Sequence, residues 1–176
     1  MLLVVLATGC IKEDLDSCDT NLIFRYFGDG TKDIFPEKIE KVDLYVYSEN
    51  GALIETIGLN QGDLRRYQGT PLNLPAGKYR VVCWGNTKND TQIDQPMALN
   101  TALVAAPHYF TREIITTNDS LYIGSRDIEI FQDASNADTV YFSSSHIKMY
   151  LELDGLEERA LSTGASKLYI ENVIDE

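Results

Sequence analysis

Histidine, cysteine and basic residues are scarce in this chain of 176 residues. It contains 2 His and 3 Cys, and 15 Lys and Arg face 27 Asp and Glu, which gives a net charge of −12. Nucleic acids and anionic membrane surfaces bind through basic patches, so this balance argues against both as partners. Neither His108 nor His146 has Cys, Asp or Glu at a zinc-binding spacing. The sequence therefore predicts no metal site and no nucleic-acid partner.

Motifs of catalysis are also missing from the sequence. There is no Gly-rich phosphate loop, no Gly-x-Ser-x-Gly elbow and no EF-hand pattern. Ser143-Ser144-Ser145 is more typical of a turn than of a nucleophile, and carboxylates can pair by chance in any acidic chain. We therefore predict a protein that is not an enzyme, with no catalytic residue and no cofactor.

The chain begins with a short apolar run that ends in Leu6-Ala7-Thr8-Gly9-Cys10. Small residues before a cysteine suit a lipoprotein signal peptidase, because its pocket excludes bulky side chains and the thiol carries diacylglycerol. Residues 1–9 are thus predicted to be the signal peptide and Cys10 the lipidated N-terminus. A chance cysteine after an ordinary signal peptide, or a clipped core strand, are the alternatives. No Lys or Arg precedes the run, which favours a true start upstream of Met1.

Residues 10–19 are acidic and lack a hydrophobic period, which predicts an extended tether. Acidic residues directly after a lipidated cysteine also resemble the surface-export signal of some Gram-negative lipoproteins. A solvated linker is the alternative interpretation of the same residues.

Alternating apolar and polar residues then predict an all-β protein, an antiparallel β-sandwich. Asn50-Gly51 predicts a tight hairpin turn in which both residues take positive φ. The stretch Gln61 to Thr70 is expected to be a loop, and a short helix is expected near Met97 to Val104. The predicted strands cover residues 20–27, 39–48, 52–57, 71–74, 78–84, 109–115, 120–125, 139–142, 146–153 and 166–173.

These strands suggest a first sandwich domain over residues 20–127 and a linker over 128–138. Residues 139–176 are too few to bury a core alone, since chains below about 40 residues usually need disulfides or metals. We expect them to begin a second, truncated sandwich domain; the alternative is that they complete the first.

Cys18 and Cys83 remain once Cys10 carries lipid. An even pair in an exported protein is a candidate disulfide, and each cysteine shares strand parity with apolar neighbours. A bridge over so long a loop would stabilise the fold by roughly 4 kcal/mol, whereas two reduced cysteines are the alternative. Two triplets, Asp119-Ser120-Leu121 and Asp138-Thr139-Val140, resemble O-glycosylation sites of some anaerobic Gram-negative bacteria, with Ser120 and Thr139 as acceptors.

Several motifs resemble those of fimbrial anchoring-subunit lipoproteins of anaerobic Gram-negative bacteria. The resemblance extends from Cys10 to about Val173, and its most specific part is Leu-Pro-Ala-Gly-x-Tyr followed by Cys-Trp-Gly-Asn. The matching segments are residues 10–15, 18–26, 42–47, 49–51 and 72–86.

The resemblance implies transthyretin-like β-sandwich domains in tandem, a lipid at Cys10 and a position at the base of a fimbrium. It also implies a surface-exposed protein held in the outer membrane by its lipid, with other fimbrial subunits as partners through strand addition.

Two other functions are alternatives to attachment. A surface glycan-binding lipoprotein would use exposed rings such as Tyr45, Tyr47 and Trp84 as stacking platforms. A hydrolase would need a pocket with perturbed carboxylates, and nothing in the sequence points to one. The regular alternation of the rings favours packing over sugar binding.

Overall fold

The computed structural model describes residues 18–107, 111, 118–131 and 136–146, with the backbone alone for Cys18 and Asp19. The chain divides into two compact units, Met1–His146 and Ile147–Glu176, and every described residue lies in the first. Predictions for Cys10, for a strand over 109–115 and for everything after His146 therefore lie outside the described residues.

The described residues form nine β-strands and two short helices. In chain order they are β1 (Cys18–Arg25), α1 (Phe35–Lys38), β2 (Val42–Ser48), β3 (Leu53–Leu59), α2 (Gln61–Arg66), β4 (Gly69–Leu74), β5 (Gly77–Gly85), β6 (Gln92–Asp94), β7 (Leu103–Ala105), β8 (Tyr122–Ile130) and β9 (Asn136–Ser144).

Seven strands form one curled sheet in the order β3-β2-β5-β8-β9-β1-β4, and β6 pairs with β7 alone. The curl occurs at β9. Its residues 136–141 pair with β1, whereas its residues 142–144 pair with the start of β8. The strip therefore folds into two layers, β4-β1-β9 and β9-β8-β5-β2-β3, which confirms the predicted all-β sandwich. One pair, β1 with β9, is parallel, contrary to the expectation of a wholly antiparallel arrangement.

Alternate residues of each strand face the core between the layers. Leu22 and Phe24 of β1 and Leu44 of β2 are completely buried. The rings of Phe24, Phe35 and Phe142 form a mutual cluster with centroids 5.3 to 5.8 Å apart. Buried rings of this kind contribute more to stability than any other side chain of the core. The alternation read from the sequence in β1, β2 and β5 therefore matches the structure.

The stretch predicted as a loop at Gln61 to Thr70 contains α2. Asn60 caps this helix: its side chain accepts hydrogen bonds from the N–H groups of Gly62 and Asp63, at 2.8 and 3.2 Å. The Asp63 carboxylate accepts one in return from Asn60 N–H at 3.1 Å. This reciprocal capping box, together with the burial of Leu64, makes a helix of only six residues stable here.

The helix predicted near Met97 to Val104 does not form. Leu103 to Ala105 is strand β7, and the preceding residues bind the β2–β3 hairpin through their backbone. Met97 O accepts from Leu53 N–H at 3.0 Å, and Leu99 N–H donates to Gly51 O at 2.9 Å. Met97 is 71% exposed, so no apolar helix face is available to pack.

The predicted linker and domain start are also misplaced. Ile128 and Ile130, assigned to the linker 128–138, lie in β8 and are 3% and 2% exposed. Val140, assigned to a second domain that begins at 139, is fully buried in the core of the first unit. Residues 136–144 complete the first sandwich because they connect its two layers. A second sandwich domain after His146 stays a prediction.

The β2–β3 turn differs in detail from the predicted one. Gly51 has a φ of +80°, but Asn50 is not among the described residues with positive φ. The turn is closed by a hydrogen bond of 2.8 Å from Gly51 N–H to Ser48 O, and the register shifts by one residue just beyond it. The hairpin therefore needs left-handed backbone at one residue and adds a bulge.

Candidate attachment and assembly sites

The predicted lipid site is separated from the folded unit by a short stretch of sequence. Strand β1 begins at Cys18, so residues 11–17 connect it to Cys10. Extended chain covers at most about 3.6 Å per residue, which limits the reach of these residues to roughly 30 Å. The first sandwich therefore lies within this distance of Cys10.

Strand β1 has strands on both sides. Residues 18–23 pair antiparallel with β4, and residues 20–25 pair parallel with β9. The contact with β4 is so close at Gly69 that a Cβ there would lie 1.9 Å from the carbonyl oxygen of Leu22. Only glycine allows the two strands to meet at this point.

Asp33 fixes the other end of β1. Its carboxylate accepts hydrogen bonds from the Arg25 guanidinium at 2.7 Å, from the Gln68 amide at 2.9 Å and from the N–H groups of Tyr26 and Phe35, both at 3.1 Å. Partial burial opposes ionisation, but the hydrogen bonds outweigh it and lower the pKa of Asp33. The ionised carboxylate thus ties β1, α1 and the start of β4 together.

The Cys-Trp-Gly-Asn motif has a structural explanation in Asn86. This buried residue has a φ of +61° at the end of β5. Its Oδ1 accepts from Glu40 N–H at 2.8 Å, and its Nδ2 donates to Lys38 O at 2.8 Å and to Ser120 O at 3.3 Å. One side chain therefore connects the segment before β2, the end of β5 and the segment before β8.

Of the two cysteines of the predicted disulfide, only Cys83 has a described side chain. Cys83 is a free, fully buried cysteine of β5, and burial raises the pKa of its thiol well above the usual range. A thiol held neutral in this way reacts poorly. The side chain of Cys18 lies outside the described residues, so the Cys18–Cys83 pairing stays a prediction.

The two predicted glycosylation triplets carry structural aspartates. The Asp119 carboxylate accepts hydrogen bonds from Lys88 N–H and the Thr91 hydroxyl, both at 2.7 Å, and so orders the loop after Asn86. Asp138 pairs with Arg126 at 3.3 Å. The acceptors Ser120 and Thr139 are both half-buried, and their modification stays a prediction.

The rings proposed as sugar platforms do not form one exposed surface. Tyr47 is only 2% exposed, and Tyr45 and Trp84 are half-buried. Stacking on a sugar requires an open ring face, which Tyr47 cannot provide. Tyr141, at 61%, is the most exposed aromatic side chain of the described residues.

Two kinds of site, a metal site and a general acid in the groove beside Arg80, would need particular arrangements of the described titratable groups. The part of the chain that the structure describes contains no cluster of three His, Cys, Asp or Glu residues suited to a metal ion. A groove of about 540 Å³ at one end of β5 and β8 contains the Arg80–Asp127 pair, with N–O distances of 2.6 and 2.7 Å. The hydrogen bond from Arg80 lowers the pKa of Asp127, whereas a general acid needs a pKa raised towards neutrality. Within the same described ranges, no helix is long and apolar enough to cross a membrane.

Several stretches of the curled sheet have a neighbouring strand on one side only, within the described residues. The longest are β3, β4, residues 125–130 of β8 and residues 136–141 of β9. Such edges offer unpaired backbone N–H and C=O groups to another chain. The sequence predicted strand addition but could not identify the edge, because sheet order depends on contacts between distant strands.

The model of the family described as Fimbrillin-A associated anchor proteins Mfa1 and Mfa2 matches residues 15–174. The comparison with curated proteins gives no match.

Solved structures share the fold. A candidate polysaccharide-binding protein from Bacteroides thetaiotaomicron has a TM-score of 0.64 at 17% identity, over 72% of this chain and 47% of its own. A candidate adhesin from Bacteroides ovatus has a TM-score of 0.61 at 18% identity, over 73% and 46%. The fimbrial anchor protein Mfa2 from Porphyromonas gingivalis has a TM-score of 0.56 at 13% identity, over 72% and 51%. The chain thus spans about half the length of these structures, and identities this low show the fold alone.

Proposed function

Because the chain belongs to the family of Fimbrillin-A associated anchor proteins Mfa1 and Mfa2, we propose that it is a lipid-anchored fimbrial subunit. In this function it attaches the fimbrial shaft to the outer membrane, at the cell surface and at the base of the fimbrium. The family is one of structural fimbrial proteins and not of enzymes. The single observation that carries the proposal is the match of this family over residues 15–174, directly after a lipidation motif at Cys10.

The charge and the tether support a lipid as the membrane contact. A protein of net charge −12 is repelled by anionic headgroups, so electrostatics cannot hold it on a membrane. One acyl chain gives only marginal binding, whereas a diacylglycerol with further acylation gives a stable anchor. Residues 11–17 then keep the sandwich close to the bilayer, as an attachment point requires.

The partners proposed are other fimbrial subunits, bound by strand addition. Main-chain hydrogen bonds along a sheet edge give affinity in this mode, and pockets for alternate side chains give specificity. The single-sided strands of the described sheet are compatible with such pairing.

A glycan-binding surface lipoprotein was the alternative from the sequence. One structural relative, from Bacteroides thetaiotaomicron, is a candidate polysaccharide-binding protein. In the present chain Tyr47 is buried and cannot stack on a sugar, so no observation favours this function over attachment.

Cys10→Ala tests the anchor. We expect the variant to lose retention in washed outer membranes and labelling by a radioactive fatty acid, while its circular dichroism and thermal midpoint stay unchanged. Ser17→Ala, in the same tether, is the matched control and should keep both retention and label. Retention of Cys10→Ala in washed membranes would refute lipid attachment at this residue.

A further inference from the structure

Strand β3 differs from the other single-sided strands in what a new neighbour would gain. In residues 136–141 of β9, Val140 is already completely buried and Asp138 is paired with Arg126. In the second half of β8, the inward residues Ile128 and Ile130 are already 3% and 2% exposed, and the outward residues Asp127 and Glu129 are charged. Arg126, which lies opposite the buried Val81, is paired with Asp138. An added strand would bury almost no apolar surface there. Charged side chains on such a stretch discourage pairing.

Strand β4 is protected in another way. Pro71 lies in its middle, opposite Asn21 of β1, and has no N–H to donate to a strand on either side. Pro75 follows directly after the strand. Proline at these positions is a common device against edge-to-edge pairing.

Strand β3 lacks proline and carries one charged residue, Glu55. Its sequence Leu-Ile-Glu-Thr-Ile-Gly-Leu contains no proline and no basic residue. Leu53 N–H bonds Met97 O, but residues 54–59 have only β2 beside them in the described part of the chain. Ile57 and Leu59 pack on the core and yet remain half-buried, and Ile54 is 50% exposed. A further strand would therefore bury apolar side chains and satisfy backbone groups together.

Glu55 gives this edge a charge preference. It lies opposite Val46, a completely buried residue of β2, so its carboxylate is on the side of β3 that faces the core. The side chain is half-buried and forms no ion pair or hydrogen bond within the described residues. An inward charge on an edge strand opposes indiscriminate pairing. A strand with a cation opposite Glu55 would pair with it favourably, and one with a carboxylate there would be repelled.

We propose that residues Glu55–Leu59 of β3 accept an extended segment of another fimbrial subunit that carries Lys or Arg opposite Glu55 and apolar side chains on either side. This inference rests on the proposed function for the identity of the donor. The pairing itself is independent of lipidation, so the purified, unlipidated full chain can test it. Loss of membrane retention and loss of strand pairing are therefore separate results.

Two synthetic peptides serve as probes, Thr-Val-Thr-Lys-Thr-Val-Thr and the same sequence with Glu in place of Lys. Hydrogen exchange of the full chain should show protection of residues 54–59 by the Lys peptide and none by the Glu peptide. Titration should give the Lys peptide at least a roughly fivefold tighter dissociation constant, in line with the cost of like charges facing each other across strands.

Charge reversal separates selectivity from folding. Glu55→Lys should exchange the two affinities, so that the Glu peptide binds and the Lys peptide does not. Glu49→Lys reverses an exposed charge in the turn of the same hairpin and should leave the preference unchanged. If Glu55→Lys does not fold, Glu55→Gln should still reduce the difference between the peptides.

Three results would overturn the proposal. Protection of β4 or β8 in place of β3 would show that the proposal names the wrong edge. Equal affinities for both peptides would remove Glu55 from recognition. Protection of residues 54–59 without peptide, increasing with protein concentration, would identify a second copy of the chain as the partner.

Discussion

Asn86 combines a left-handed backbone with three hydrogen bonds from its buried side chain. Asparagine tolerates positive φ better than other residues with a Cβ, so it serves both requirements. Asn86→Ala should destabilise the fold by about 3 kcal/mol, because buried partners lose their bonds and alanine is strained at this φ. Chemical denaturation measures the change. Asn86→Gly relieves the backbone strain but still loses the hydrogen bonds, so its stability should lie between those of the natural protein and Asn86→Ala. Asn89→Ala, at an exposed position, should change the stability little.

Asp33 makes stability depend on acid pH. Because its pKa in the folded state is lowered below the ordinary 3.8, its contribution is complete above that value and is lost as the pH falls through the folded-state pKa. Asp33→Asn should therefore cost about 2 kcal/mol at neutral pH, and the difference from the natural protein should vanish in strong acid. Unfolding curves from pH 7 to pH 2 test this.

Asp127 is the control for the pH experiment. Its pKa is also lowered, chiefly by its hydrogen bond with Arg80, but its side chain is 70% exposed. Exposed ion pairs contribute little, so Asp127→Asn should leave the stability profile almost unchanged. A similar loss in both variants would contradict the special status of Asp33.

At the scale of elements, the contact between β1 and β4 depends on Gly69. A methyl group there would meet the Leu22 carbonyl oxygen at 1.9 Å, and a backbone atom of a central strand cannot move aside. Gly69→Ala should therefore destabilise the protein by about 3 kcal/mol or prevent folding. In Gly58→Ala, on β3, the added Cβ would have its nearest neighbour at 3.7 Å, so this change should be neutral within about 0.5 kcal/mol. The thermal midpoints of Gly69→Ala and Gly58→Ala measure this difference in stability.

Strands β1 and β2 could be predicted from the sequence because their alternation is local. Leu22 and Phe24, or Val42 and Leu44, show which face is buried without knowledge of any partner. The connections were harder. Helix α2 has a signal, the pair Asn60 and Asp63 at capping-box spacing, that outweighs the polar appearance of its residues.

The end of β8 and the start of β9 could not be inferred from local pattern. Asn136 to Asp138 are polar and small, and they become strand only because β1 lies beside them. Gly124 helps β9 change layers, since a Cβ there would lie 2.7 Å from Val140. The candidate sites also differ in whether local sequence is enough to predict them. Cys10 is predicted from a local motif, whereas the open side of β3 depends on the order of strands in the sheet.

At the scale of the whole molecule, force carried along the chain through the first unit would enter at the N-terminal end of β1 and leave at Ser144 of β9, on the way to the residues after His146. Since β1 and β9 are parallel, these two points lie at opposite ends of the pair. Tension between these two points loads all hydrogen bonds of the pair together, in shear. The bonds therefore do not break one after another.

Two pulling directions on one protein test this property. Force between the N-terminus and a cysteine introduced by Ser145→Cys should give unfolding forces several-fold higher than force between the N-terminus and Pro75→Cys. In the second direction the ends of an antiparallel pair, Cys18 beside Leu74, separate like a zipper and their bonds break singly. Both introduced cysteines occupy exposed positions, so the fold itself should be unaffected. Equal forces in single-molecule pulling would mean that the β1–β9 pair does not resist the load in shear.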